Sequence, residues 1–155
     1  MSTGVGHGSL RTAIAVNMRP WSRDRGSVGA RIRYEFLRAD GTWSSHLADV
    51  SYMSFARRPL GGDDDAQRKD NAPDIAVEIV SPGDRPSRIR RKVETFLEYG
   101  STVVLVLYPE RRHAVMHRAD GSVEERAARG QWVLEPFGDL VLDWDDIFYQ
   151  IDLSR

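Results

Sequence analysis

The chain has 155 residues, 41% hydrophobic and 29% charged, with a net charge of −1 and an isoelectric point near 6.4. That is apolar material for one sizeable core and not two, so a single α/β domain over residues 1–155 is expected, and the charge balance leaves only local patches to attract nucleic acid. The lack of cysteine excludes disulfides and thiolate metal sites, which favours hard ions such as Mg²⁺ or Mn²⁺ on oxygen ligands. The apolar runs are too short for a membrane span, and no signal-peptide core stands at the N-terminus, so a cytoplasmic protein without membrane contact is expected.

Leu10, Ala13, Ile14, Asn17, Met18 and Trp21 recur at helical spacing and predict an amphipathic helix from about Ser9 into the low twenties, disturbed by Pro20 and ended by Gly26. From Ala30 to Arg38, Ile32, Tyr34 and Phe36 alternate with Arg31, Arg33 and Glu35. The turn Ala39-Asp40-Gly41-Thr42 then leads into a partner strand from about Trp43 to Met53, which makes a hairpin. Residues 56–72 carry many charges and almost no periodicity and read as an exposed loop inserted in the domain.

The run Ile75 to Val80 predicts a strand, and Ser81-Pro82-Gly83-Asp84 a turn. A helix follows from about Arg85 to Glu98 with Ile89, Val93, Phe96 and Leu97 as its buried stripe, stopped by Gly100. Thr102 to Leu107 is apolar throughout, as in a strand covered on both faces, and the β-α-β order makes it the parallel neighbour of the Ile75 strand. Short strands are expected at His113–His117, Val123–Arg126, Trp132–Leu134 and Leu140–Leu142, with a terminal helix around Trp144 to Phe148.

Glu78 is a lone carboxylate inside an apolar strand, and an isolated buried charge costs several kcal/mol unless a metal or a cation answers it. Period-2 geometry puts Leu47, Asp49, Ser51 and Met53 on one face of the preceding strand, so pairing with aligned faces would bring Asp49 to Glu78. Lys92, at the edge of the helix stripe, can lay its stem on the core and reach the end of the strand before it. Two carboxylates holding a hard cation beside an ammonium can hydrolyse a phosphodiester with metal assistance. The alternative is structural: Asp49 caps a strand end, Glu78 pairs with Arg88 or Lys92, and the basic helix is solvated.

The stretch Pro73-Asp74-Ile75-Ala76-Val77-Glu78-Ile79-Val80-Ser81-Pro82-Gly83-Asp84, followed by Lys92 to Gly100, resembles the Uma-type restriction endonucleases of the PD-(D/E)XK nuclease superfamily. Val104 to Glu110, the ending Gly138 to Phe148, and Ala48-Asp49-Val50-Ser51-Tyr52 are similar to further elements of that family, so the likeness spans about residues 46 to 148. It implies a restriction-endonuclease-like α/β (α+β) core, a central mixed sheet flanked by helices, and a Mg²⁺- or Mn²⁺-dependent endonuclease acting on DNA. Carried over by position, Asp49 and Glu78 are metal ligands and the Ile79 carbonyl a third. Val80 stands where the superfamily places its lysine, so that role passes to Lys92. Two departures are Ala48, where proline is usual, and the absence of the family's usual Glu-rich N-terminal segment. The alternative function is therefore an inactive nuclease-fold module that binds nucleic acid or a protein partner.

Arg85, Arg88 and Arg91 lie beside the proposed site and are the candidates for DNA backbone contact, with pairing to Glu94 and Glu98 as the plain alternative. His113 and His117, four apart in a strand, are too far separated for one tight metal site. Asp63-Asp64-Asp65 lacks the ligand spacing of a calcium loop. Trp21, Trp43, Trp132 and Trp144 are expected to pack in a core or interface. Double-strand cleavage needs two sites, which a homodimer would provide.

Overall fold

The strand Ile75–Ile79 is buried at four of its five residues and organises the molecule. A computed structural model of the chain describes residues 3–58 and 71–154. Its elements in order are α1 (Thr3–Ser22), β1 (Gly26–Leu37), β2 (Trp43–Ser54), β3 (Ile75–Ile79), α2 (Pro86–Glu98), β4 (Val103–Tyr108), β5 (His113–Arg118), β6 (Val123–Ala127), β7 (Gln131–Val133), β8 (Val141–Asp143), α3 (Trp144–Ile147) and α4 (Tyr149–Leu153). A mixed six-stranded sheet runs in the order β1-β2-β3-β4-β5-β6, with only β3 and β4 parallel, and β7 pairs with β8 apart from it. The expected α/β core with a mixed sheet and flanking helices is the one observed.

Helices cover both faces of the sheet. On one face α1 supplies Leu10, Ile14 and Met18 to a core with Val50, Tyr52, Val77, Ile79 and Leu105, closed by Trp132, Leu142 and Trp144 from the C-terminal elements. On the other face α2 sets Ile89, Val93 and Phe96 against Phe36, Ala48, Ala76, Val104 and Val106. Phe96, 1% exposed, meets Phe36 and Tyr34 edge-on at 5.9 and 6.0 Å, and its truncation to alanine would cost about 3–5 kcal/mol. No helix among the described residues is long and apolar enough to cross a membrane.

Several expectations are corrected. The first helix begins at Thr3 rather than Ser9, running through glycines that weaken it locally, because its far end is held down by burial of Gly6 and Leu10. Pro20 lies inside its last turn without ending it, and Gly26 opens β1 after the turn at 23–25. A Cβ at Gly26 would lie 2.1 Å from the Met53 carbonyl oxygen, so only glycine fits this close approach of β1 to β2. Most of the 56–72 loop lies outside the described residues, as does Asp63-Asp64-Asp65; at its border Ala72 is fully buried, and Arg57 donates to its carbonyl at 2.9 Å. Trp43, in the hairpin, is 47% exposed and belongs to neither core, whereas Trp132 and Trp144 are buried.

The strict alternation expected along β2 also breaks. Ala48 faces the α2 core and Val50 the α1 core, although only one residue separates them. That residue is Asp49, and across the hairpin Arg31 adopts a left-handed φ of 55°. The rungs Ala30↔Val50 and Ile32↔Ala48 flank it. A non-glycine residue there stores about 1–3 kcal/mol of strain, of the kind that concentrates at functional sites. Asp49 thus sits where the strand changes faces.

Candidate functional site

Two acids and a backbone amide lie at this seam, Asp49 on β2 and Glu78 with the Ile79 N–H on β3. β2 pairs with β3 through Val50↔Val77 and Ser51↔Ala76, and one further step brings Asp49 opposite Glu78. The Ile79 amide donates to Asp49 Oδ2 at 2.8 Å, which ties the carboxylate to the end of β3. In an extended strand the N–H and C=O of one residue project to the same side, so the Ile79 carbonyl faces the Asp49 side as well.

Glu78 turns to the α2 face. Lys92 Nζ donates to its Oε2 at 2.9 Å and to the Leu47 carbonyl at 2.8 Å, tying α2 to both strands at once. The side chains of Glu78 and Lys92 are 12% and 15% exposed. Burial pushes the Glu78 carboxyl up from its ordinary value to about 7, with Lys92 pulling the other way and the neighbouring Asp49 charge adding to the rise. Glu78 Oε1 accepts no hydrogen bond from the described residues.

Asp49 has partners that were not expected. Arg11 of α1 approaches Oδ1 with Nη2 at 3.2 Å and Nε at 3.4 Å, and His7 Nε2 lies 3.7 Å from Oδ2. His7 Nδ1 in turn bonds Ser81 Oγ, just beyond β3, at 2.9 Å. The readable signal was the four-residue spacing of His7 and Arg11, which puts them on one helix face. A helix taken to begin at Ser9 hides it, because His7 then falls outside.

The basic residues of α2 do not join this cluster. Arg85, Arg88 and Arg91 are exposed and make no ion pair with the described residues, so the alternative of pairing with Glu94 and Glu98 is not the one observed. Arg91 shares a cleft with His46 of the hairpin, and the His46 pKa is lowered first by burial, then by the charges of Lys92, Arg38, Arg88 and Arg91. Asp74 is structural, holding the Ser54 amide at 2.7 Å and the Arg57 guanidinium at 3.1 Å. His113 stacks on Tyr108 and pairs with Glu125 at 3.0 Å, and His117 is lowered by burial.

Asp49, Glu78 and Lys92 line none of the principal clefts; the nearest, about 490 Å³ beyond the ends of β3 and β4, starts at Val80 and Ser81. The ion pairs fill the space between the acids and the helices. The sequence model of Uma2, described as "Putative restriction endonuclease", matches residues 1–145. The chain belongs to the Uma2 family. Among solved structures, the crystal structure of a putative nuclease belonging to DUF820, from Anabaena variabilis, superposes with a TM-score of 0.75. It is 17% identical, and the match covers 93% of this chain and 80% of that one, a likeness that shows the fold. No curated protein matches the chain.

Divalent metals are general in restriction-endonuclease-like families, and the Uma2 seam suits one by its chemistry. Among the described residues no three His, Asp or Glu side chains cluster as metal ligands. Mg²⁺, however, commonly takes only one or two protein carboxylates and completes its shell with water and phosphate. Asp49 and Glu78 are hard oxygen donors from facing positions, and Glu78 Oε1 has no competing partner among the described residues. The donor set fits a hard divalent cation.

Proposed function

We propose that this Uma2 chain is a Mg²⁺- or Mn²⁺-dependent endonuclease that hydrolyses DNA phosphodiester bonds. The observation that carries the reading is the register that sets Asp49 opposite Glu78 on adjacent strands, with the Ile79 amide bonded to Asp49 and Lys92 bonded to Glu78. Asp49, Glu78 and the Ile79 carbonyl would hold the cation, which when bound polarises the phosphate and lowers the pKa of its water. The chain's own residues do the rest. The Ile79 amide fixes the pose of Asp49, and Lys92 favours the ionised form of Glu78 against the effect of burial while its ammonium stands ready to offset negative charge developing on the phosphate. The exposed Arg85, Arg88 and Arg91 alongside would follow the DNA backbone. In this reading the protein works in the cytoplasm, and a homodimer would bring the second site that double-strand cleavage needs.

The test is calorimetric titration of Mn²⁺ into wild type, Asp49→Asn and Glu78→Gln, with plasmid cleavage assayed alongside. Binding and cleavage are expected in wild type and in neither variant, with the fold retained. Cleavage that survives both substitutions rejects the assignment. A second reading has its own support, because both acids are already neutralised by Lys92 and Arg11: a non-cutting module that binds nucleic acid through the α2 arginines. It predicts salt-sensitive DNA binding with no cleavage under any divalent ion, and fails if neutralising Arg85, Arg88 and Arg91 leaves binding intact.

A further inference from the structure

We propose that Arg11 is an exchangeable counter-ion: it neutralises Asp49 in the cation-free protein and passes to the substrate phosphate when a divalent cation takes Asp49. The inference rests on the metal-centre reading above and assigns a role to a residue of α1, which contributes neither acid. The two oxygens of Asp49 are held differently. Oδ2 is fixed at 2.8 Å by the Ile79 amide, a group that cannot move without the sheet. Among the described residues Oδ1 is met only by the end of a long side chain, and at 3.2 and 3.4 Å. Charge-assisted N–H···O bonds close to about 2.7–2.9 Å when well made, and here both guanidinium nitrogens crowd one oxygen instead of forking across two. Arg11 therefore balances charge without gripping the carboxylate.

The surroundings allow the exchange. The Arg11 side chain is 20% exposed, and it borders the open cleft between α1 and the C-terminal helices, alongside Thr12, Tyr149 and Gln150. Its guanidinium can leave Asp49 without disturbing either core. A divalent cation between Asp49 and Glu78 would repel it, and a phosphodiester arriving at that cation presents the planar, doubly accepting partner that the guanidinium fork matches. Lys92 differs, because its second bond to the Leu47 carbonyl keeps it in place. The site is thereby neutral before loading and keeps a cation for the phosphate after it.

Calorimetry with Mn²⁺ and no DNA, on the full chain, separates the outcomes. Arg11→Met and Arg11→Gln, which both lose the charge while glutamine keeps a donor for Asp49, should bind Mn²⁺ at least about threefold more tightly than wild type. Arg11→Lys should match wild type. With Ca²⁺ in place of Mn²⁺, binding of a fluorescent duplex oligonucleotide should weaken at least about threefold in both neutral variants and be retained in the lysine variant. Urea unfolding of the glutamine variant checks that the fold is kept. Unchanged or weaker Mn²⁺ affinity in folded Arg11→Gln overturns the proposal while leaving the metal centre standing. Wild type that binds no Mn²⁺ overturns the metal centre, and this inference with it.

Discussion

Replacing Lys92 with methionine keeps an apolar stem of similar length and removes the ammonium that holds Glu78 and the Leu47 carbonyl. Even with that ammonium in place, burial puts the Glu78 carboxyl at about 7 against an ordinary 4.5. The folded chain therefore holds a proton on Glu78 in the interval between those values, where the unfolded chain has lost it, and stability falls as pH rises through that interval. For the wild type the fall is complete near pH 7 and totals about 3 kcal/mol, at about 1.4 kcal/mol per pH unit. With Lys92 gone, the folded-state value rises further and the fall continues above pH 7. Urea unfolding at pH 6, 7, 8 and 9 reads the difference directly. At pH 6, where Glu78 is largely protonated in both proteins, the variant should lose only the lysine hydrogen bonds, about 1–3 kcal/mol. The gap should then widen by about 1.4 kcal/mol per pH unit from 7 toward 9. A gap that stays constant from pH 6 to pH 9 would refute the claim that Lys92 sustains the charge on Glu78.

The backbone at the hairpin makes two further predictions. Gly26→Ala drives a Cβ to 2.1 Å from the Met53 carbonyl oxygen, and should destabilise by at least about 2 kcal/mol and lower Tm by about 6 °C in calorimetric scans. Arg31→Gly relieves the left-handed φ of 55° and, after the entropy that glycine adds to the unfolded chain, should raise stability by about 0.5–1 kcal/mol; a loss of stability would mean that the Arg31 side chain does more than tolerate its backbone.

Much of the fold is written in local periodicity. The apolar run of β3, the stripe of α2 and the fully apolar β4 each have a single economical reading, and the order strand–helix–strand then dictates their parallel pairing. Lys92 stands at the edge of the α2 stripe, as its spacing predicts, and reaches Glu78 across 14 residues of sequence. What stayed hidden is non-local or unsignalled. The start of α1 is held by burial at Gly6 and Leu10, which outweighs the local preference of its glycines. The change of face at Asp49 leaves no trace in Ala48-Asp49-Val50, since either core would accept alanine or valine, and Arg31 is not a residue that announces a positive φ. The Arg11–Asp49 pair joins residues 38 apart with no motif between them.

The switch of faces at Asp49 also bears on the order in which the protein is assembled. The charge of Asp49 is answered by Arg11 and His7 from the layer on one side of the sheet, and that of Glu78 by Lys92 from the layer on the other. Asp49 takes its pose from the sheet itself, through the Ile79 amide, whereas Glu78 waits for Lys92, so a chain whose sheet has formed but whose α2 is still undocked holds only the first acid in its final pose. Under the nuclease reading, a molecule without docked α2 is harmless to the DNA around it, and competence arrives only when that layer docks.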